Sequence, residues 1–288
     1  MSQKNRSKSL FHKKVILSFK SLFYDLLVPP FLNIFSYRSI LYQTTLNEIK
    51  TRHAGSAFGL FWLLIYPLLF LGTYAIVYLY IFKIRFPEFS STEYVALIFC
   101  GLIPFLGFSE GLASGVPSVV ASSNLIKNTL FPIQLVPVKA VLVGQATQTV
   151  GMALLLIALT FLGKLSLWLP FFLVIWLAQI LFTVGLIWIL SSLNVYLRDI
   201  QNVIAIVTLL LMMLSPIAYT EAMVPEGIRP LLSLNPLYYM IMSYQSVFML
   251  GEFPPTRIIL PFIAMSFFLF ISGFWFFSRM KKLFSDYV

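Results

Sequence analysis

"NEIKTRHAGSAFGLFWLLIYP", residues 47–67, changes solvent part-way along its length. Through His53 it mixes charged and apolar side chains; from Ala57 to Phe82 it carries no charged residue. An α-helix rises about 1.5 Å per residue and a bilayer core is about 30 Å thick, so roughly 20 apolar residues cross it. Residues 58–82 satisfy that length. Lipid offers no partner to a bare N–H or carbonyl, so an apolar run of this length closes its own hydrogen bonds as a helix.

The remaining chain follows the same rule. Of its 288 residues 59% are hydrophobic and only 10% charged, against about 25% charged in soluble domains. Further apolar segments of spanning length lie at 94–115, 140–162, 167–193, 203–220 and 258–277. The expectation is an all-α membrane protein with six transmembrane helices. Residues 1–20 are basic and polar, with no apolar core ahead of a small-residue cleavage site, so no cleavable signal is read. Cys100 is the sole cysteine, which rules out an intrachain disulfide.

A net charge of +10 raises nucleic acid as a partner, but its distribution argues for a membrane. Nine of the 20 basic residues precede residue 55, and Arg279, Lys281 and Lys282 follow the last apolar run. With the amino terminus inside, the inner segments hold 15 basic residues and the outer ones five: Lys83, Arg85, Lys164, Arg229 and Arg257. Lys and Arg accumulate on the cytoplasmic side. Both termini are therefore expected in the cytoplasm.

Three stretches depart from a plain bundle. In "SYRSILYQTTLNEIKTRHAG" (36–55), Tyr42, Leu46, Ile49 and His53 recur at helical spacing. Arg38, Glu48, Lys50 and Arg52 lie elsewhere around that helix, which predicts an amphipathic segment in the cytoplasmic interface. "LYYMIMSYQSVFML" (237–250) is apolar but too short to cross, so it dips in and returns or lies at the outer face. "SNLIKNTLFP" (123–132) falls on the cytoplasmic side yet stays sticky: Leu125, Ile126 and Phe131 are apolar anchors, Asn124 and Thr129 hydrogen-bonding groups, and Lys127 a charge. A helix presenting that mixture suits a groove on another protein.

Chemistry of the chain's own is sparse. The Gly163-Lys164 pair is followed by Leu165 rather than a phosphate-loop hydroxyl. No Cys or His pairing has metal-ligand spacing, and no catalytic residue is assigned. An ion-coupled carrier needs acids at the midplane, and Glu110, in "GFSEGLASG", sits near the cytoplasmic end of its span. Arg198 and Asp199 read as a short cytoplasmic turn. A transporter so equipped takes its force from a partner. Trp62, Tyr66, Phe70, Tyr74 and Tyr78 recur every four residues along the first span. That slanted aromatic ridge, with Tyr219 at the end of the fifth span, suits a sliding sugar chain, and equally an interface belt or helix packing.

Several motifs in order resemble the membrane subunit of ABC-2-type exporters, in the branch exporting O-antigen, capsular polysaccharide and teichoic acid. They are "NEIKTRHAGSAFGLFWLLIYP" (47–67), "GLIPFLGFSEGL" (101–112), "NLIKNTLFPIQLVP" (124–137), "LRDI" (197–200), "SPIAY" (215–219) and "NPLYY" (235–239). The resemblance implies a homodimer in the bacterial inner membrane, bound to two copies of an ATPase subunit that uses ATP and magnesium. This chain itself would bind no cofactor. The cargo would be a lipid-linked polysaccharide; another lipid or a drug, or an ion-coupled carrier, stands as the alternative. It further implies a basic extension over 1–36, a gate helix over 37–57, a transmembrane domain over 58–282 and a tail over 283–288. Residues 124–131 would form the coupling helix, and a re-entrant pair would lie within 221–250. Gln245 stands where relatives commonly carry arginine, and the first 35 residues exceed those of many relatives. Reversing the charge of Lys127, or placing a helix breaker at Leu125, is expected to lower export and partner ATPase stimulation. Membrane insertion, checked by fractionation, stays intact.

Overall fold

The computed structural model describes residues 28–52, 54–81, 90–122, 131–219, 224–227, 229–281 and 284. It divides into an amino-terminal unit ending at Tyr42 and a main unit from Gln43 onward. Among the described residues the regular structure is helical throughout, with no strand.

A helix over 28–36 precedes α1 (Arg38–Arg52). The first long apolar helix, Gly59–Ile81, is built from a 3₁₀ turn, α2 (Trp62–Ile76) and a π-turn over Val77–Ile81. Then follow α3 (Ser91–Gly115), α4 (Leu135–Phe161), α5 (Phe172–Tyr196), α6 (Ile200–Leu214), α7 (Pro236–Gln245) and α8 (Thr256–Met280). Among the described residues five helices are long and apolar enough to cross a membrane, and they coincide with five of the expected spans.

The expected span 203–220 differs. Its helix, α6, has 15 residues and measures about 22 Å, short of a full crossing. It stops because Pro216 has no N–H to donate and holds Ser215 extended, at φ −90° and ψ 144°.

Ring contacts give the direction of the chain. Phe182 meets Phe262 at 6.2 Å, Trp188 meets Phe270 at 5.1 Å and Phe274 at 5.3 Å, and Tyr196 meets Phe284 at 6.4 Å. Both numbers rise together, so α5 and α8 run parallel. The segment 197–255 therefore travels back along the bundle. By contrast α3 and α4 are antiparallel, with Gly107 against Gln148 and Gly111 against Gly144.

The return is folded rather than straight. Asn235 caps α7, accepting the Leu237 N–H at 3.0 Å and donating to the Ser215 hydroxyl at 2.9 Å. Leu237, Met240, Ile241 and Tyr244 of α7 are buried. A π-turn over Ser246–Leu250 ends at Gly251, whose φ of 68° is left-handed, the region glycine adopts without penalty. The expected short segment 237–250 is thus a buried, partly π-helical element of the main unit.

Close approach of α5 and α8 depends on glycine. A Cβ on Gly273 would stand 2.2 Å from the Gly185 carbonyl oxygen, which is backbone and cannot rotate away. Gly273→Ala is expected to cost about 1–3 kcal/mol, read as a lowered melting midpoint in detergent. Gly72→Ala, with nothing within 4 Å of its Cβ, leaves the midpoint unchanged.

Candidate functional site

Four residues apart, Glu48 and Arg52 share one face of α1. Arg52 pairs with the Glu110 carboxylate on α3, and Lys139 Nζ on α4 lies 2.5 Å from Glu48 Oε2. The two pairs are crossed in sign, so α1 is clasped to two antiparallel helices where α3 ends and α4 begins. All four side chains retain some water access. Exposed pairs of this kind contribute about 0–1 kcal/mol each, which makes the clasp positional and easily released. At the opposite end Lys164 lies 2.7 Å from Glu93 and ties the 163–166 connection to the first turn of α3.

Of the remaining interface residues, Lys50 is exposed. Arg38 belongs to the amino-terminal unit, where its guanidinium lies 4.2 Å from the Phe35 ring centroid.

Directly above the clasp is an open cavity of about 790 Å³. Arg52, Ser56, Trp62, Tyr66, Ser109, Glu110, Thr147, Gln201 and Thr208 contribute to its wall. Trp62 and Tyr66 are also the lower rungs of the ridge anticipated from spacing. Tyr66 and Phe70 stack with centroids 6.1 Å apart, Phe70 and Tyr74 at 5.3 Å, and Tyr74 and Tyr78 at 5.8 Å. These distances lie in the favourable range for offset aromatic pairs. Tyr78 continues edge-on to Tyr94 at 6.4 Å. The Tyr74 hydroxyl points at Met212 Sδ, 3.5 Å away, so the ladder faces α6. Tyr66 belongs both to the cavity wall and to the ladder, and α6 borders both.

Tyr219 stands apart from this stack. Its hydroxyl donates to the Leu214 carbonyl at 2.7 Å and closes the end of α6. Arg198 and Asp199 occupy an exposed turn between α5 and α6, where the Asp199 carbonyl accepts the N–H groups of Asn202 and Val203. Asn124, Leu125, Ile126, Lys127 and Thr129 lie outside the described residues. Phe131 is half-buried just ahead of α4.

A buried polar layer was not anticipated from sequence. Gln148 and Gln179 exchange amide hydrogen bonds at 2.9 and 2.8 Å. Gln179 also donates to the Pro104 carbonyl at 2.9 Å and accepts the Tyr244 hydroxyl at 2.8 Å. Gln145 accepts from the Trp176 indole at 2.7 Å. The overlooked signal was three glutamines inside long apolar helices; a search restricted to acids passes over amides, although both are costly in lipid. Gln245, for which a polar role was open, is 4% exposed and donates to the Pro216 carbonyl at 3.1 Å.

Among the described residues no cluster of metal-binding side chains occurs. What the arrangement offers is an open cavity bordered by α2, α3, α4 and α6, with the Arg52–Glu110 pair in its wall. Residues 41–249 match the family model of the ABC-2 type transporter. This chain belongs to the ABC-2 transporter family. It is a multi-pass membrane protein and a transport subunit. It is 28% identical over 250 residues to an O-antigen export system permease protein RfbA of Klebsiella pneumoniae, covering 86% of this chain and 94% of that one. A protein of the same name from Myxococcus xanthus is 27% identical over 236 residues, covering 81% and 89%.

Replacing Gln179 by leucine in this transporter removes the amide partner of Gln148, an acceptor of the Tyr244 hydroxyl and a second donor to the Pro104 carbonyl together. An unsatisfied buried group costs about 1–3 kcal/mol. A lower melting midpoint is expected, and Gln148→Leu added on top should cost far less than it does alone.

Proposed function

We propose that the chain is the transmembrane permease of an ATP-driven exporter that carries a lipid-linked polysaccharide of the O-antigen, capsule or teichoic acid type across the bacterial inner membrane. The observation that carries this reading is the aromatic ladder rising from the cavity. Stacked rings with hydroxylated edges give a sugar chain broad, weakly directional contact, so the polymer slides without being trapped at one register. Family membership and the names of the two relatives support the cargo class.

The proposed topology has six crossings. Parallel α5 and α8 require a return between them, and α6 with the folded segment 215–250 supplies it, the latter as a re-entrant pair at the outer face. An even number of crossings would put both termini on one side, and the excess of Lys and Arg there would make that side the cytoplasm. Two copies would face each other through α2 and α6. Within one copy α2 buries only Pro67 and Leu71, and α6 buries nothing. Each protomer would engage one ATPase subunit through residues 124–131, and that partner would supply ATP and magnesium.

Mechanically, closure of the ATPase pair would press the coupling helix and, through the start of α4, load the Glu48–Lys139 pair. Release of that pair and of Arg52–Glu110 would let α1 swing from the cavity and admit the lipid-linked end. Arg38 and Lys50 would face head groups rather than the path.

Export is measured in vesicles holding the permease, its ATPase and cargo. Alanine at Tyr66, Phe70 or Tyr74 is expected to slow transport roughly two- to tenfold per ring, from about 0.5–1.5 kcal/mol per aromatic contact, with ATP hydrolysis retained. Phe268→Ala, exposed on α8 and outside the two helices proposed to face the second copy, leaves export unchanged. Full transport by a Tyr66, Phe70, Tyr74 triple variant, or uphill transport without the ATPase, would sink the reading.

A further inference from the structure

The two ends of α6 are held very differently. At its carboxyl end the chain leaves the helix at Ser215 and turns without regular structure through Ala218, buried throughout. Two other helices grip it there. Asn235, the cap of α7, donates to the Ser215 hydroxyl at 2.9 Å, and Gln245, the last residue of α7, donates to the Pro216 carbonyl at 3.1 Å. From α3 the Tyr94 hydroxyl donates to the Ala218 carbonyl at 2.7 Å. Gly101 of α3 makes room for this segment: a Cβ there would lie 3.5 Å from the Ile217 Cα and 2.8 Å from the Ile241 side chain. Backbone released from a helix needs such partners where water is excluded, so the bend at Pro216 is fixed from outside α6.

The amino end has no such grip. Leu197 is extended, at φ −128° and ψ 90°, and Arg198 and Asp199 are exposed. Asp199 stands at the N-cap of α6 without a side-chain cap, and the turn is closed only by backbone bonds to Leu197 and Asp199. Among the described residues no side-chain hydrogen bond or ion pair joins residues 197–208 to another helix. α6 buries none of its side chains. Its four cavity-lining residues, Gln201, Ile204, Ala205 and Thr208, all fall in this loosely held half. The contact of Met212 with the Tyr74 hydroxyl lies near the gripped end.

We propose that α6 is a flap hinged at Ser215–Ala218, that Tyr94, Asn235 and Gln245 are the positioning residues that hold the hinge, and that the Leu197–Asp199 end swings to widen or narrow the cavity. Hinges are commonly a few residues at the end of an element, with the element itself moving as a stiff rod. At about 1.5 Å per residue Ile200 stands roughly 21 Å from Leu214, so a tilt of about 15° carries it about 5 Å. The same tilt hardly disturbs Met212, and the ladder contact survives while the cavity changes width. The flap rests on the reading of the cavity as part of the cargo's route, but its motion is measurable without cargo.

Two cysteine pairs are spin-labelled in the full permease, reconstituted in vesicles with its ATPase. Labelled chains are diluted with unlabelled copies so that each reports on itself; Cys100 is fully buried and shielded from the reagent. Asn202→Cys with Arg279→Cys reads the free end of α6 against α8, and Leu214→Cys with Thr256→Cys reads the hinged end; all four positions are exposed. Between the nucleotide-free and vanadate-trapped states the first distance should change by about 5 Å, the excursion of a tilted helix, while the second stays fixed. Tyr94→Phe, which removes only a hydroxyl, should broaden the second distance distribution and lower the cargo moved per ATP several-fold with hydrolysis retained. Equal movement at both ends would overturn the hinge, as would no movement at either end in vesicles that still export. Tyr94→Phe matching the unmodified protein in both readouts would overturn the positioning role. Movement of the free end alone in vesicles that export no polysaccharide would uphold the hinge and count against the export reading.

Discussion

Gln179 is where four helices are obliged to agree. Its amide meets Gln148 of α4, the Pro104 carbonyl of α3 and the Tyr244 hydroxyl of α7, in a position sealed from solvent. Lipid and protein interior alike offer no water to repair a lost hydrogen bond. Sliding any one of these helices by a turn would therefore strand several groups at once. Apolar packing alone sets register loosely in a membrane, because lipid tails are as apolar as leucine. A specific amide pair sets it tightly. Gln245, donating to the Pro216 carbonyl, extends the same control to the folded return.

Around that fixed centre the molecule is held unevenly. α5 and α8 approach to backbone contact at Gly185 and Gly273, and α3 with α4 is nearly as close at Gly111 and Gly144. These pairs form a body that resists deformation. α1, α2 and α6 are attached more lightly. α2 buries few side chains and α6 none, and the ion pairs that tie α1 to α3 and α4 are partly exposed. A transporter needs both qualities, and here they are assigned to different helices. The cavity and the aromatic ladder lie along the seam between the rigid part and the light part, where movement costs least.

Polar residues divide along the same line. Charges cluster at the bundle ends, as Arg52–Glu110 and Glu48–Lys139 at one and Lys164–Glu93 at the other. Amides and hydroxyls occupy the interior. A buried charge costs far more than a buried amide that can be fully bonded, so neutral groups take the interior and ions stay where water can follow them.

Composition and hydropathy determined by themselves that the chain is a helical membrane protein. They also placed five long helices within a few residues, because the thickness of a bilayer sets length and lipid forbids any other closed backbone. The aromatic ladder was legible too, since a four-residue spacing on one helix is a local property. Local signals failed at α6, where Ser215-Pro216 stops an apolar run that hydropathy carries on to residue 220. They also could not pair Arg52 with Glu110 or Gln148 with Gln179, residues 58 and 31 positions apart. Which helix lies beside which, and in which direction, depends on side chains meeting across the bundle. Only the tertiary structure decided that, because hydropathy is a sum along the chain and contact is a relation between distant parts of it.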